Sequence, residues 1–376
     1  MSELKTIIAA YDTAEAQGYK TVLATVVKVE GSSYRMPGAR MLVSEYGEMT
    51  GAISGGCLEG DALRRAMLAL QQQTNKLVTY DTTNEADATL GIQLGCNGIV
   101  HLLFEYIDPS DPQNPIALLK KTTNKRVPAL VVTICSLDRY AEQPGTCGIR
   151  LENQTVLRAN PLIAGEDMLA YMEQVYRSKA TMRTVLEYKN VDYELLLEYH
   201  IPPIHMVLVG AGNDAQPIAA MAAMLGWEVS IVDGRASHAA VDRFPAAKQV
   251  ITAAASEFLH QIDIDAYTAV VLMSHNFNYD KDVLKHLLQT SVSYIGLLGP
   301  KKRFQRLLNT LQEDGCIIEE AQLAKMHGPV GLDIGAETSA EIALSIIAEV
   351  KSFFHSRSAA SLRDLAAKMH ENIPIL

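Results

Sequence analysis

Two glycines and an acid in the second half of the sequence have the types and spacing of a nucleotide-binding turn. Gly210 and Gly212 directly follow a short apolar run, and Ala215 takes the third position of a G-x-G-x-x-(G/A) pattern. The first glycine permits the turn, and the second lets the backbone approach a phosphate at a helix N-terminus. Asp233 follows Gly210 by 23 residues, close to the spacing of the acid that binds a ribose hydroxyl. The pattern predicts a dinucleotide site.

Other polar residues near this turn widen the choice of ligand and role. Asp214 lies close to the first helical turn, where its carboxylate would be near a bound pyrophosphate. An unusual dinucleotide, or none, is therefore the alternative to an ordinary NAD site. Arg235 and His275 follow predicted strands, at the edge where α/β sheets bind ligands. For His275 the sequence leaves two roles open, a catalytic or ligand-orienting group and a cap for the next helix.

Two cysteines in the first half of the sequence each lie between glycines in a predicted turn. Gly55 and Gly56 directly precede Cys57, and a helix is predicted from about Leu58. The positive end of that helix would stabilise a thiolate, and the glycines would let a ligand approach closely. A buried structural cysteine is the alternative. Cys96 lies in a second such turn, and the sequence does not show whether the two cysteines meet.

A polar loop between two predicted strands carries Ser32, Ser33 and Arg35. These side chains have the donors that an anion site needs. A hairpin loop with solvated side chains is also typical of this composition, and composition alone slightly favours it. We therefore expect a hairpin loop here, with anion binding as the alternative.

The helices and strands that could position these residues form two groups, one on each side of Pro202-Pro203. We place a domain boundary there because neither helix nor sheet propagates through paired prolines. Before the prolines, a segment of strand, polar loop ending in Pro-Gly, and strand occurs twice, which suggests a faint internal duplication. After them, short apolar strands alternate with helices, as in a doubly wound parallel sheet. We predict an α/β protein, with a separate N-terminal α/β domain over residues 1–200 and a Rossmann-like domain over residues 201–376.

Composition excludes several classes of protein. The 376 residues are enough for two cores, and 48% hydrophobic with 20% charged residues is a globular composition. A net charge of −10 argues against nucleic-acid binding. Charges near the start argue against a secretory signal, and no apolar run suits a transmembrane helix. The five cysteines lack C-x-x-C spacing, so no structural metal site is indicated. We expect a soluble cytoplasmic protein without a membrane or nucleic-acid partner.

The sequence resembles the XdhC/CoxI family, the accessory and maturation factors of xanthine dehydrogenase and carbon monoxide dehydrogenase. The resemblance covers nearly the whole chain and depends on eight runs in the same order. These runs are VEGSSYRMPGARMLV, GAISGGCLEGD, LGCNG, VLVGAGNDAQP, VDGR, MSHNFNYD, YIGLLGPKKR and GLDIGAETSAEIALSI. One departure is Asn97, where the family usually has a further glycine.

The resemblance implies a chaperone-like maturation factor more than a turnover enzyme. Such factors bind molybdenum cofactor, as molybdopterin or its cytosine dinucleotide, protect it during sulfuration and insert it into a molybdenum hydroxylase such as xanthine dehydrogenase. A homodimer and a cysteine desulfurase partner are also implied. By position, the resemblance assigns cofactor contacts to Gly55, Gly56, Cys57, Glu59 and Cys96 in the first domain, and to Gly210, Gly212, Asp233 and Arg235 in the second.

Two other functions compete with this interpretation. An NAD(P)-dependent oxidoreductase that acts on a small substrate would use His275 as acid or base. A sulfur or nucleotidyl transferase would act on the molybdenum centre directly, but Asp214 and the absence of an evident triphosphate loop disfavour it.

Overall fold

The structure is a computed structural model that describes residues 2–81, 98–160, 162 and 166–364. The chain divides into two compact units, and the division falls between Pro202 and Pro203. Cys96 and most of the predicted turn around it lie outside the described residues. Among the helices in the described ranges, none combines the length and apolar character needed to cross a lipid bilayer.

The first unit contains helices and antiparallel strands. In chain order its described elements are α1 (Ser2–Ala16), β1 (Thr21–Gly31), β2 (Arg40–Ser44), β3 (Met49–Gly51), α2 (Glu59–Gln72), β4 (Lys76–Asp81), β5 (Gly98–Ile107), α3 (Pro115–Thr123), β6 (Ala129–Cys135), β7 (Gly145–Leu151), β8 (Gln154–Leu157), α4 (Glu166–Ser178), β9 (Met182–Tyr188) and β10 (Val191–His200).

Two five-stranded sheets in this unit have the same strand order. One runs β3-β2-β1-β5-β4 and the other β8-β7-β6-β10-β9, and all neighbouring strands are antiparallel. A helix follows the third strand of each sheet, α2 in the first and α4 in the second. The duplication that the two Pro-Gly segments suggest therefore extends to a complete topology. We call residues 21–107 the first repeat and residues 129–200 the second repeat.

The two sheets pack face to face, with one helix on the outside of each. In β1, Val22 and Ala24 belong to the hydrophobic cluster under α2. The alternate residue Leu23 packs in a cluster with Val131 of the second sheet, as the two-residue period of a strand requires. Helix α4 covers the other face of the second sheet, where Met172 is buried. The unit is thus layered as helix, sheet, sheet and helix, and α1 and α3 pack in the same cluster as the inner faces of the two sheets.

Two buried glutamates connect the repeats reciprocally. Glu105 of β5 accepts hydrogen bonds from the amide and hydroxyl of Thr146 in β7. Glu198, at the same position of β10, pairs through both carboxylate oxygens with Arg40 of β2. Each glutamate thus contacts the strand that follows a Pro-Gly loop in the other repeat. Sequence patterns did not predict these contacts.

The second unit alternates strands and helices from its first strand onward. Its described elements are β11 (His205–Val209), α5 (Ala215–Met224), β12 (Glu228–Asp233), β13 (Gln249–Thr252), β14 (Thr268–Leu272), α6 (Phe277–Leu287), β15 (Tyr294–Leu297), α7 (Lys301–Glu313), α8 (Glu320–Leu323), β16 (Met326–His327) and α9 (Ser339–Phe354).

All strands of this unit are parallel, in the order β13-β12-β11-β14-β15-β16. β11 lies at the centre, where the strand order reverses toward β14. Helices α5 and α9 pack in the cluster on one face, and α6 and α7 pack in the cluster on the other. The predicted doubly wound parallel sheet is confirmed, and its switch point lies directly after β11.

A side-chain cap sets the start of α6, which begins at Phe277. Asn276 is the N-cap, and its side chain accepts a hydrogen bond from the amide of Tyr279. Asn has a strong N-cap preference because its oxygen satisfies an amide without an intrahelical partner. This cap sets the conformation of the preceding residue, His275.

Candidate functional site

Cys57 lies in an exposed loop between β3 and α2. Both ends of the loop are anchored, because Ile53 and Leu58 are buried in the core under α2. Between these anchors Gly55 and Gly56 are exposed, and Cys57 is half-buried. Among the described residues other than its chain neighbours, no heavy atom lies within 4 Å of the position that a Cβ of Gly56 would occupy. The structure thus places these three predicted site residues on the accessible part of the loop.

Ser54 organises the loop from its buried side. Its hydroxyl oxygen accepts hydrogen bonds of 3.1 Å from the amides of Gly56 and Leu58. The Cys57 Sγ atom lies 3.6 Å from the same oxygen. Ser54 therefore connects three consecutive loop positions to one atom. Sequence analysis did not select it, although a small hydroxyl residue directly before two glycines is a typical turn signal.

Glu59, which the resemblance assigns to the cofactor site, lies at the start of α2 beside the Cys57 loop. Its carboxylate accepts hydrogen bonds from the amide and hydroxyl of Ser54 and from the amide of Leu58. These donors belong to the Cys57 loop, so the carboxylate already has partners within the chain. The geometry describes a positioning residue that fixes the loop at the start of α2.

Tyr34 and Arg35 contact the same loop from the segment after β1. The exposed Tyr34 ring packs over Gly55, where an added Cβ would lie 3.2 Å from ring atoms. The Arg35 guanidinium donates to the Ala52 carbonyl at 3.1 Å and forms an ion pair with Glu3. The cation of the predicted alternative anion site is therefore engaged with the chain and supports the loop that carries Cys57.

The other described cysteines differ from Cys57 in their surroundings. Cys135 and Cys147 are buried in the sheets, and burial raises the pKa of Cys135 to about 12 and that of Cys147 further. Cys316 is half-buried in the second unit. In the described ranges, no three His, Cys, Asp or Glu side chains are grouped so as to hold a metal ion. Cys96 lies outside those ranges.

The second repeat does not carry an equivalent of the Cys57 loop. The sequence between β8 and α4 is RANPLIAG, without a cysteine. β9 and β10 are joined by the tight turn Lys189-Asn190, both residues of which have positive φ. The equivalent connection in the first repeat spans residues 82–97 and includes Cys96. The candidate cysteine residues therefore all belong to the first repeat.

In the second unit, the glycine turn directly follows β11, at the switch point of the sheet. Gly210 has a φ of +121°, and an added Cβ would lie 2.5 Å from backbone atoms of Met273 after β14. Only glycine fits this approach of two strands. At Gly212 an added Cβ would meet no atom within 4 Å from the part of the chain that the structure describes, apart from its chain neighbours. The turn is therefore tight on the sheet side and open in front of α5.

Arg243, which sequence analysis did not select, stabilises this turn through hydrogen bonds. Its guanidinium donates to the carbonyl of Ala211 at 2.6 Å and to the side-chain oxygen of Asn213 at 2.9 Å. Arg243 lies in a short 3₁₀ helix after β12, so a segment beyond Asp233 returns to the glycine turn. The structure thus adds a second guanidinium, besides that of Arg235, to this edge of the sheet.

Asp233 ends β12 beside the turn, but its carboxylate is buried. One oxygen accepts from the Ala211 amide and from Arg235, and the other accepts from the Arg235 amide and guanidinium. Burial raises the pKa of Asp233, but these hydrogen bonds outweigh it and bring the pKa below its usual value. Asp233 is placed where the nucleotide pattern predicts an acid, but it is already paired.

His275 follows β14 at the switch point, with its imidazole 67% exposed. Its φ of +58° is in the left-handed region, which non-glycine residues rarely adopt and which clusters at functional sites. The Nε2 atom lies 3.8 Å from one oxygen of Asp214, and the other oxygen accepts from the Ser339 hydroxyl. Asn276, not His275, caps the next helix.

A buried network holds this left-handed residue in place. The Ser274 hydroxyl accepts from the Asn276 amide at 3.1 Å and donates to Asp280 at 2.5 Å. The other Asp280 oxygen pairs with Arg303 at 2.6 Å. Residues on both sides of His275 are therefore fixed, so its side chain points away from the core. This is how a strained backbone conformation persists in a folded protein.

Comparison with known proteins is consistent with this arrangement. A model described as the XdhC and CoxI family matches residues 14–81, which include the Cys57 loop. A model described as the XdhC Rossmann domain matches residues 206–350. The chain is also 32% identical to a probable xanthine dehydrogenase subunit from Bacillus subtilis (strain 168), over 88% of this chain and 92% of that protein. The chain belongs to the XdhC and CoxI family.

Two further proteins match this chain over nearly its whole length. It is 26% identical to the molybdenum cofactor insertion chaperone PaoD of Escherichia coli (strain K12), over 93% of this chain and 88% of that protein. A crystal structure of a xanthine dehydrogenase from Bacillus halodurans superposes with a TM-score of 0.74. The match has 28% identity and covers 95% of this chain and 98% of that one. The resemblance found in the sequence motifs is confirmed.

Proposed function

We propose that this protein is a maturation factor that binds molybdenum cofactor as cargo, assists its sulfuration and delivers it to a molybdenum hydroxylase. The name of its relative PaoD, a molybdenum cofactor insertion chaperone, supports this role. The observation that carries the proposal is the Cys57 loop. Exposed glycines lie directly before a half-buried thiol, and Ser54 and Glu59 hold the loop in one conformation.

The chemistry of the loop suits this cargo. A thiolate is a soft ligand that binds soft metal centres. Gly55 and Gly56 add no side chains between the thiol and an approaching cofactor. In the proposed site Cys57 contacts the cargo, and Gly55 and Gly56 admit it. Cys96 is proposed as a second contact because the resemblance places it opposite Cys57.

The test replaces Cys57 by serine, which is close to cysteine in size. Wild-type protein purified from a molybdenum-replete host should retain molybdenum and a fluorescent pterin and should activate the client hydroxylase. We expect Cys57→Ser to fold normally but to lose retained cofactor and activation. Cys316→Ser is the matched control, because this thiol is also half-buried but lies in the other unit. Cofactor retention and client activation at the wild-type level in Cys57→Ser would refute the assigned role.

We also propose that a cysteine desulfurase supplies the sulfur and that the protein acts as a homodimer, since the family resemblance implies both. Light scattering on the purified full chain measures the assembly directly, and a mass of one protomer would exclude the dimer. Co-purification of the desulfurase with cargo-loaded protein, and not with Cys57→Ser, would support a sulfur-transfer complex that depends on bound cofactor.

The Asp214–His275 pair favours a second candidate function, NAD(P)-dependent reduction of a small carbonyl substrate. Hydride would pass from the nicotinamide to the carbonyl carbon, and His275 would give a proton to the oxygen. Fluorescence titration with NADH and NADPH, followed by turnover assays with carbonyl substrates, separates this function from the first. Turnover that falls in His275→Gln and is unchanged in Cys57→Ser would favour the oxidoreductase.

A further inference from the structure

The Asp233–Arg235 pair determines which ligand groups can bind at the carboxyl ends of the strands in the second unit. A carboxylate has about four acceptor positions on its two oxygens. In Asp233 the chain itself supplies four donors, namely the Ala211 amide and the amide, Nε and Nη2 of Arg235, at 2.8 to 2.9 Å. The Asp233 side chain is only 3% exposed. A ribose hydroxyl could bind this acid only by displacing a charge-assisted hydrogen bond.

Arg235 is the group of this pair that solvent and ligands can reach. Its side chain is 49% exposed. Its Nε and Nη2 atoms each donate one hydrogen bond to Asp233. Within the described part of the chain, Nη1 donates no hydrogen bond. The buried carboxylate holds the guanidinium in a fixed orientation. A planar guanidinium with fixed orientation suits a phosphate, because its donors match two phosphate oxygens.

The space beside this pair has the size of a ligand site. Gly234, which separates the two residues, lines a cavity of about 600 Å³. The cavity lies beyond the carboxyl ends of β12 and β13 and along α6, and its volume is within the range of small-molecule sites. Its lining includes Asp282 and Lys285 of α6. Arg235 does not line it but directly follows Gly234 in the chain, so a ligand in the cavity that extends past Gly234 would approach Arg235.

We propose that the second unit selects a ligand that carries a phosphate monoester, and that Arg235 contacts this phosphate. The proposal rests on the cofactor-binding function proposed above and specifies the chemical class of its ligand. Two sources share this chemistry, a phosphate on the sugar of a nucleotide and the phosphate of a pterin cofactor. In either case Asp233 is a positioning residue, since it acts on the ligand through Arg235.

Calorimetry on the full-length protein with two matched ligand pairs tests the proposal. One pair is adenosine 2′-monophosphate and adenosine. The other is the oxidised fluorescent pterin derived from molybdopterin, with and without its phosphate. We expect the phosphorylated member of at least one pair to bind about tenfold more tightly or better, as a charge-assisted bidentate contact would give. The pair that shows this preference identifies the source of the phosphate.

Substitution of Arg235 separates recognition from folding. Arg235→Gln should reduce the affinity ratio within the responsive pair to about one and leave binding of the unphosphorylated member unchanged, because only the phosphate contact is lost. Arg235→Lys keeps the charge and should retain part of the preference, which guards against misfolding of the glutamine variant. Lys248→Gln removes a cation at the opposite end of the sheet, where it pairs with Glu228, and should keep the wild-type ratio.

A ratio near one in both wild-type pairs, or an unchanged ratio in Arg235→Gln, would overturn the inference. Neither result would affect cofactor retention that depends on Cys57, so the maturation function could still stand. Conversely, a phosphate preference that depends on Arg235, together with full client activation by Cys57→Ser, would support the inference and refute the proposed role of Cys57.

Discussion

At the scale of single residues, the position of Cys57 depends on one buried hydroxyl. Ser54 is 8% exposed and accepts two amide hydrogen bonds while it donates to Glu59. Glycines have wide conformational freedom, so Gly55 and Gly56 would not hold one conformation by themselves. The hydroxyl and the carboxylate together supply that constraint.

Ser54→Ala should therefore loosen the loop. The Gly56 amide loses its acceptor, and we expect the free energy of unfolding to fall by about 1 to 3 kcal/mol. Urea denaturation measures this change, and peptide mapping after timed alkylation should show faster modification of Cys57. Ser178→Ala is the control, because its hydroxyl makes one local bond to Val175 at the end of α4. Equal alkylation rates in wild type and Ser54→Ala would contradict this role.

At the scale of elements, the two repeats are joined by carboxylates in unlike environments. Burial raises the pKa of Glu105, and its Thr146 donors offset this only in part. Burial acts on Glu198 in the same direction, but the ion pair with Arg40 outweighs it and leaves the pKa of Glu198 below its usual range. The first repeat thus contributes Arg40, whose charge Glu198 neutralises. The second repeat contributes the hydroxyl and amide donors of Thr146 to Glu105, a carboxyl group with a raised pKa.

Glutamine at these two positions should have different effects. Glu198→Gln places an amide donor against Arg40 and leaves a buried cation unpaired, which should cost about 3 to 5 kcal/mol. Glu105→Gln should cost less, because the Thr146 hydroxyl can accept from the new amide as well as donate. Urea denaturation of both variants measures the difference. A larger loss for Glu105→Gln than for Glu198→Gln would contradict this account of the interface.

The pKa of Glu105 also predicts a dependence on pH. When folding raises the pKa of a carboxyl group, the free energy of unfolding decreases as pH rises from the unfolded pKa, about 4.3, toward the higher folded pKa. Glu105→Gln has no such titration. The stability of the wild type relative to this variant should therefore decrease as pH rises through that window, and a constant difference would show that Glu105 does not titrate in it.

At the scale of the whole molecule, the hydrophobic clusters follow the division of the chain. Every cluster of described residues contains residues of one unit only. We predict that residues 1–202 and 203–376, expressed separately, each unfold cooperatively in denaturant, because each retains its own core. Circular dichroism and proton spectra of both fragments measure this. A fragment that lacks dispersed amide signals would show that its core needs the other unit.

The sequence by itself determined the features that depend on neighbours along the chain. Apolar periodicity and turn residues predicted the parallel sheet, the glycine turn at Gly210 and the cysteine turn before α2. Each of these signals extends over a few residues, so local geometry and burial are sufficient to produce it. The duplicated Pro-Gly segments likewise indicated a repeat, although not that two complete sheets share one strand order.

The partners of the site residues were decided only by tertiary structure. Asp233 meets the Ala211 amide across 22 residues, and Arg40 meets Glu198 across 158 residues. No local pattern encodes such pairs, because they exist only after strands from distant segments align in a sheet or pack face to face. For this reason the sequence identified Asp233 as an acid at a nucleotide edge, whereas the folded chain buries that acid and leaves Arg235 exposed.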